Sequence, residues 1–238
     1  MHSEELLFES DGYKLSGTLY VPVSEKPVAA VVIPQQAGTE LRTHPLYQQK
    51  VRVFNTLGFA AFVYDRRGAG ESEGPQERPS YEALKRDSVA AKKAIAGHSR
   101  ISENRIGFWG LSQSGWIAMM AANASNAAFA IVVSSPLTTP EEQMDILTYN
   151  YVRSAYGEEA AQRALQVRQT VMTDYFEGNV SYSEVQSQIR SIEDKPWFEF
   201  VYIPRAEDFP EDISKSTWVK ERVRITLFIR KNRSILTN

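Results

Sequence analysis

The stretch that decides the fold is IGFWGLSQSGW, residues 106–116. Its first four residues are apolar or glycine, as in a strand covered on both faces, and the apolar run at residues 115–124 is typical of a buried helix. Between them, Ser112 has the small residues Gly110 and Ser114 two positions away on either side, which leaves room for a sharp strand-to-helix turn. The pattern predicts a strained backbone at Ser112 and an exposed hydroxyl above the end of a strand.

A simpler interpretation of these serines also exists. Ser112 and Ser114 are both residues that favour the N-cap of a helix. Three loosely spaced small residues also recur by chance in chains of this size. The turn alone therefore does not decide between a helix cap and a nucleophile.

Short apolar runs and helical stretches alternate on both sides of this turn. Apolar runs that indicate strands lie at residues 28–33, 59–64, 106–109 and 129–133, and helical patterns lie at residues 44–57, 81–96 and 115–124. Such alternation predicts a mostly parallel sheet with helices on both faces, the α/β class. Residues 6–10 and 15–21, on either side of Asp11-Gly12, predict an antiparallel hairpin at the start.

The chain length of 238 residues favours one large domain, or one domain that carries an insertion. We expect an α/β core at residues 1–135, an all-helical cap insertion at residues 136–215 with one break near Gly178-Asn179, and a last core strand with an aberrant tail at residues 216–238. The end of the insertion is rich in aromatic residues, which either line an acyl pocket or attach the insertion to the core: Trp197, Phe198, Phe200 and Tyr202.

A second motif, YDRRGAGES at residues 64–72, directly follows a predicted buried strand, and its glycines allow the chain to turn over the sheet edge. A dinucleotide-binding loop is the competing interpretation. That fingerprint requires glycine where Glu73 stands, and Glu71 and Glu73 would repel a pyrophosphate. A nucleotide cofactor is therefore not expected.

Together, the hairpin, the D-R-R-G-x-G-x-S loop, the G-L-S-Q-x-G-W-I-A turn and the helical insertion resemble bacterial α/β-hydrolases of the serine peptidase and esterase-like kind, over roughly residues 6–229. The resemblance implies a nucleophile elbow at Ser112. It implies an oxyanion hole from the backbone N–H groups of Gln113 and, in the loop PQQAG at residues 34–38, Ala37. The same loop could be a plain polar loop, since Gln36 disfavours the positive φ that a glycine would permit. No metal or cofactor is implied, and the expected substrate is a small-molecule ester or amide.

The resemblance also implies a catalytic triad, in which an acidic residue and then a histidine follow the serine along the chain. Neither is found where it is expected. The acid should follow the predicted strand at residues 225–229, where the sequence reads RKNR, and no histidine follows His98. His44, His98 and Asp65 each have a structural interpretation, so no acid or base is identified. Two hypotheses follow: a serine hydrolase of carboxylic esters or small amides and peptides, or a catalytically impaired homologue with only a binding role or none. The basic tail suggests truncation or an altered reading frame.

Composition excludes several other classes of function. The 27 basic and 29 acidic residues leave no cationic excess for nucleic acid, and the absence of cysteine excludes thiolate nucleophiles and Cys-ligated metals. No apolar run of about 18 residues is present, so we expect no membrane span. The N-terminal residues lack a basic start and an apolar stretch, which predicts a cytoplasmic protein. If residues 223–229 form the last strand, their exposed edge favours self-association.

Overall fold

The computed structural model describes residues 1–36, 41–76, 79–135, 138–209 and 211. Two compact units, Met1–Ser135 and Pro136–Asn238, each surround a hydrophobic core of their own.

The first unit is built on a six-stranded sheet. The strands are β1 (His2–Ser10), β2 (Tyr13–Val21), β3 (Val28–Ile33), β4 (Ala60–Tyr64), β5 (Ile101–Leu111) and β6 (Ala130–Val133). Their order across the sheet is β1-β2-β4-β3-β5-β6. The pairs β1/β2 and β2/β4 are antiparallel, and the remaining three pairs are parallel. The mostly parallel sheet with an antiparallel start is therefore confirmed.

Three helices cover the two faces of this sheet: α1 (Pro45–Thr56), α2 (Tyr81–Ala96) and α3 (Gln113–Ala124). Ala91 and Ile95 of α2 and Ala118 of α3 pack in one core with Phe62 and Phe108 of the sheet. The next set of sheet residues points the other way and packs against α1, because successive side chains of a strand face opposite sides. That second core joins Tyr47, Val51 and Phe54 of α1 to apolar side chains of β3, β4 and β5.

β6 differs from its sequence-based prediction. Its apolar run predicted a strand covered on both faces, but Ile131 is 40% exposed and Val133 is 37% exposed. The prediction was wrong because β6 is the edge strand of the sheet as described and pairs only with β5 there. The predicted strand at residues 223–229, with its exposed edge, lies outside the described residues.

The described residues of the second unit contain helices and turns and no strand. The elements are α4 (Pro140–Tyr156), α5 (Glu158–Gln169), a π-helical turn (Thr170–Asp174), α6 (Tyr182–Arg190) and two 3-10 turns (Phe198–Val201 and Ala206–Asp208). The chain breaks at Gly178, as predicted, and also at Gly157, which the sequence analysis missed. Gly157 has a φ of 88°, a conformation that glycine adopts without strain, and it separates α4 from α5. In the described ranges, no helix is both long and apolar enough to cross a membrane.

A fully buried arginine organises the second unit. Arg168 of α5 is 0% exposed. Its guanidinium donates to Glu141 at 2.8 Å and to Asp145 at 2.9 Å, both on α4. It also donates to the carbonyls of Val201 and Tyr202 at 3.1 and 3.2 Å. Burial raises the pKa of Asp145 above its ordinary value, although the charge of Arg168 opposes that shift. The pairing with Arg168 therefore offsets the free-energy cost of burying the Glu141 carboxylate and of partly burying that of Asp145.

We expect Arg168→Met to lower the free energy of unfolding of the second unit by about 3–5 kcal/mol, because it leaves buried carboxylates without their counter-charge. Arg163→Met, on the same helix, is the matched control. Within the ranges that the structure describes, Arg163 bonds only to the neutral side chains of Gln166, Gln188 and Ser191, so its loss should cost about 1 kcal/mol or less. Urea unfolding followed by circular dichroism measures both, and equal losses would contradict the role given to Arg168.

Candidate active site

Ser112 is the single residue between the end of β5 at Leu111 and the start of α3 at Gln113. Its φ of 52° and ψ of −122° place a non-glycine residue in a backbone region that costs about 1–3 kcal/mol. Ser112 is exposed, and its side chain makes no capping hydrogen bond to α3. The strained turn with an exposed serine agrees with the sequence-based expectation. Ser112 does occupy the N-cap position of α3, but it lacks the side-chain hydrogen bond that the helix-cap interpretation requires.

The residues on either side of Ser112 stabilise this tight turn. A side chain at Gly110 would place its Cβ 2.5 Å from the Ser114 carbonyl carbon, so only glycine fits. The Ser114 hydroxyl accepts from the Leu111 N–H at 2.8 Å and is 2.9 Å from the Leu111 carbonyl, to which it donates. The Ser114 side chain therefore ties the start of α3 back to the end of β5.

The end of β6 lies directly beside the elbow. The Ser112 N–H donates to the Val133 carbonyl at 2.9 Å. The following residue, Ser134, is also exposed and has a φ of 50°. Each of these two adjacent strands is thus followed directly by a serine with a positive φ. The sequence analysis missed Ser134, because its sequence neighbourhood carries no turn motif of the kind found around Ser112.

The predicted oxyanion donors are only partly described. Gln113 is the first residue of α3, which places its N–H among those that an α-helix leaves without an intrahelical acceptor. The Gln113 side chain donates to the Tyr81 hydroxyl at 2.8 Å, and the Tyr81 ring stands edge-on to Trp116 at 6.3 Å. Ala37 lies outside the described residues. Gln35, two positions earlier, is buried, and its side-chain oxygen accepts from the Arg66 N–H at 3.3 Å.

Asp65, one candidate acid, is already engaged in the structure. One carboxylate oxygen accepts from the Arg42 N–H at 2.8 Å. The other oxygen pairs with the Arg42 guanidinium and accepts from the Glu71 N–H at 3.2 Å. Asp65 therefore fastens the loop after β4 to the segment before α1. It makes no hydrogen bond to a histidine.

A second ionic cluster holds the same loop to the hairpin. The Arg67 guanidinium forms two bonds with buried Asp87, at 2.8 and 2.5 Å, and one with Asp11 at 2.8 Å. Arg86 also bonds Asp11, at 2.9 Å. Partial burial disfavours the ionised form of Asp11, but hydrogen bonds and charges from Arg67 and Arg86 outweigh it and hold its pKa below the ordinary value.

The three histidines are all described, and none is hydrogen-bonded to Ser112. His44 is the N-cap of α1, where its Nδ1 accepts from the Leu46 N–H at 3.3 Å. His98 is half-buried, and its Nε2 lies 3.2 Å from Glu4 of β1. His2 is an exposed residue of β1. A triad is therefore not assembled from the described residues, and the acid and base stay unidentified.

The aromatic residues predicted for an acyl pocket belong to the second unit. Trp197 and Phe198 are buried in its core, with Phe200 half-buried against it. Tyr202 is 42% exposed. Their role in a pocket stays a prediction.

Residues 11–230 match the family model of the X-Pro dipeptidyl-peptidases, family S15. The chain belongs to the S15 family. Its fold resembles the α/β-hydrolase GrgF from Penicillium sp. sh18, with a TM-score of 0.53 at 19% identity, over 96% of this chain and 77% of that one. The expected α/β-hydrolase superfamily is thereby confirmed.

Curated relatives match over shorter stretches. Thiohydrolase aneE from Aspergillus aculeatus is 28% identical over 169 residues, which cover 69% of this chain and 52% of the relative. Acyltransferase drtE from Aspergillus calidoustus is 30% identical over 137 residues, which cover 57% of this chain and 43% of the relative. The chain spans about half the length of the curated relatives it matches.

We expect Gly110→Ala to destabilise the first unit by about 3 kcal/mol or more, because the added methyl group meets the backbone of Ser114. The control is Gly97→Ala at the end of α2, where a Cβ meets nothing within 4 Å and φ is negative. That change should stay within about 1 kcal/mol of the parent. Thermal unfolding compares the two. Equal stability would show that the elbow tolerates a side chain at 110.

Asp11→Asn should reduce stability near neutral pH and lose this effect in acid. Asparagine tolerates the left-handed φ of 51° but removes the charge that faces Arg67 and Arg86. Because the folded state lowers the pKa of Asp11, its contribution is full above the ordinary value of 3.8 and disappears as the pH falls through the folded-state pKa. Urea midpoints at stepwise lower pH should therefore converge with those of the parent.

Glu9→Gln is the control for that experiment, since Glu9 is exposed on β1 and has no ion pair among the described residues. Its unfolding profile should run parallel to that of the parent at every pH. An Asp11→Asn difference that stayed constant with pH would contradict the ionic explanation.

Proposed function

We propose that Ser112 is the nucleophile of a hydrolase that acts on carboxylic esters or small amides through an acyl-enzyme. The observation that carries the proposal is the strained, exposed Ser112, whose hydroxyl is not used as a helix cap. Strain of this kind persists where the surroundings enforce it, and it concentrates at active sites. Membership of a hydrolase family supports the same conclusion.

In the proposed reaction, Ser112 Oγ bonds to the acyl carbon and the carbonyl oxygen takes the negative charge. The bond to the leaving oxygen or nitrogen then breaks, and the leaving group departs with the proton that Ser112 gives up. Water adds to the acyl-enzyme, releases the carboxylic acid and restores the hydroxyl. The N–H of Gln113 and the positive end of the α3 dipole are suited to the developing oxyanion.

The names of two relatives favour acyl chemistry in general. One is called a thiohydrolase and the other an acyltransferase. Both names fit a site that holds an acyl group on a protein residue, as an esterase does. A small acyl ester is therefore a better first substrate to test than a long peptide.

The second candidate function is a homologue that binds a ligand without efficient turnover. The observation in its favour is that Ser112 has no histidine partner among the described residues, and that Asp65 is committed to Arg42. A serine hydroxyl is a weak nucleophile until a base takes its proton. Loss of such a unit costs on the order of a millionfold in subtilisin, a value measured on that enzyme.

We therefore expect this chain to be labelled slowly at Ser112 by a fluorophosphonate and to turn over a p-nitrophenyl acyl ester weakly. In labelling, the Ser112 Oγ–P bond forms and hydrogen fluoride leaves. Oxyanion stabilisation and binding alone sustain about 10³ to 10⁴ over water. Peptide mapping should find the adduct on Ser112, and Ser112→Ala should abolish it. Ser125→Ala, at the opposite end of α3, should change nothing.

Three other outcomes are informative. Fast turnover lost in Ser112→Ala alone would refute the incomplete triad. Fast turnover lost in His44→Ala as well would identify the base. A fully folded protein that is never labelled at Ser112 would contradict the hydrolase proposal and leave the binding homologue.

A further inference from the structure

A cavity of about 580 Å³, which we call the α2 groove, opens beside α2 in the first unit. It is lined by the end of β1, by α2 and by Ala124. Its volume falls in the range of about 300–1,000 Å³ that is typical of small-molecule sites. Ala124 and Gln113 are the two ends of α3, about 17 Å apart at 1.5 Å per residue. The α2 groove is therefore separate from the Ser112 site.

Part of the lining of the α2 groove is apolar. Phe8 of β1 is buried, and Val89 and Ala90 of α2 are partly buried against the same core. All three also line the groove. A hydrocarbon group that covered this surface would remove it from water, which is favourable. A ligand of the groove is therefore expected to have an apolar body.

Ser10, the last residue of β1, contributes a hydroxyl that the fold does not pair. It is 6% exposed and lines the groove. It shares one side of the strand with Phe8, because alternate side chains of a strand point the same way. Across the described ranges, the Ser10 hydroxyl forms no hydrogen bond. Burying an unpaired hydroxyl is unfavourable, so an oxygen of a ligand beside Ser10 would be stabilised.

Lys93 supplies a positive charge to the α2 groove. It is exposed and lines the groove, and it has no ion pair with any residue that the structure describes. The other two cations of the lining are already paired, Lys85 with Glu82 and Arg86 with Asp11. An anion can therefore pair with Lys93 without breaking an ion pair of the protein.

Two carboxylates also belong to the lining. Asp11 is held by Arg67 and Arg86, each at 2.8–2.9 Å. Glu9 directly precedes Ser10 in β1, and successive side chains of a strand project to opposite sides. The Glu9 side chain is thus directed away from the side of β1 that packs on α2. Among the described residues, the unpaired charge on that side is the charge of Lys93.

The positions of Ser10 and Lys93 along the groove follow from two contacts. Asp11, directly after Ser10, bonds Arg86 at 2.9 Å. A second bond, between the start of β1 and the chain just after α2, shows that the two elements run antiparallel. Lys93 lies seven residues beyond Arg86, about 10 Å along α2, and Ser10 lies about 3 Å from Asp11 along β1. The two Cα positions are therefore offset by roughly 7 Å along the groove.

We propose that the α2 groove is a binding site for a small carboxylate that has an apolar body and a second oxygen. The carboxylate pairs with Lys93, the apolar body covers Val89 and Ala90, and the second oxygen bonds the Ser10 hydroxyl. A medium-chain hydroxy acid has this arrangement of groups. The site does not depend on the role proposed for Ser112.

Calorimetric titration of the unaltered protein with 8-hydroxyoctanoate tests the proposal, and we expect saturable binding at one site. Octanoate lacks the hydroxyl and should bind about 5-fold more weakly, as expected for the loss of one hydrogen bond. The compound 8-amino-1-octanol carries a positive charge instead of the carboxylate. It should bind about 10-fold more weakly or worse, because it loses the ion pair and meets the charge of Lys93.

Two substitutions assign the contacts. Lys93→Gln should weaken the binding of both acids about 5-fold, whereas Lys26→Gln, at an exposed lysine outside the groove, should change neither. Ser10→Ala should remove the difference between the two acids. It should also leave the midpoint of thermal unfolding unchanged or raise it, because an unpaired buried hydroxyl is lost. Ser3→Ala, at the exposed start of β1, should keep the difference between the acids.

Nuclear Overhauser contacts should join the methylene protons of bound 8-hydroxyoctanoate to the methyl groups of Val89. Equal binding of the amine and the acid, or acid binding unchanged in both Lys93→Gln and Ser10→Ala, would overturn the proposal. Contacts of the ligand with the Ser112 elbow alone would overturn it as well, and so would an absence of saturable binding. None of these results bears on labelling of Ser112, so the two proposals fail separately.

Discussion

The structure of the site depends on one unfavourable backbone conformation, the left-handed φ of Ser112. Its cost of about 1–3 kcal/mol must be offset by the residues around it. The Ser114 hydroxyl binds both backbone groups of Leu111, and the Ser112 N–H is paired with the Val133 carbonyl. Gly110 provides the space that lets the helix pass so close to the strand. Without these contacts the serine would relax into an ordinary helix cap, and its hydroxyl would turn to the helix.

The loop after β4 is held in place by buried ion pairs. Asp65 with Arg42 and Asp87 with Arg67 are buried pairs, and such pairs persist only when nearly all of their polar atoms are bonded. These ion pairs therefore hold the D-R-R-G segment in place at the carboxyl edge of the sheet. The same bonds explain why Asp65 is unavailable as a catalytic acid. Moving its carboxylate to a histidine would break its bonds to the backbone N–H and one guanidinium nitrogen of Arg42, and would leave Arg42 paired with Glu5 and Glu71 through its other terminal nitrogen.

Features set by local sequence could be predicted, and features set by distant partners could not. The elbow, the hairpin at Asp11-Gly12 and the helix at residues 81–96 follow from spacing, turn chemistry and periodicity. The exposure of Ile131 depends on what lies next to β6, which the apolar run at residues 129–133 does not reveal, and the positive φ of Ser134 has no sequence signal of its own. The Gly157 break was missed because one glycine in a long polar helical pattern is a weak signal. No sequence pattern shows that the Gln35 amide is buried.

The proposed function assigns the nucleophile to Ser112 and an oxyanion donor to the N–H of Gln113, and no described histidine is hydrogen-bonded to Ser112. These two tasks are chemically separable, because charge stabilisation acts on the acyl oxygen while the base acts on the serine hydroxyl. Attack of the Ser112 hydroxyl on a fluorophosphonate and on an ester both require loss of the hydroxyl proton. In the proposed function, labelling needs only the step that joins phosphorus to Ser112, which the N–H of Gln113 and the start of α3 would assist, whereas ester turnover also needs water to release the acyl group from Ser112. A site with the first property and not the second would be an acyl-binding surface with a reactive serine, held ready by the strain at Ser112.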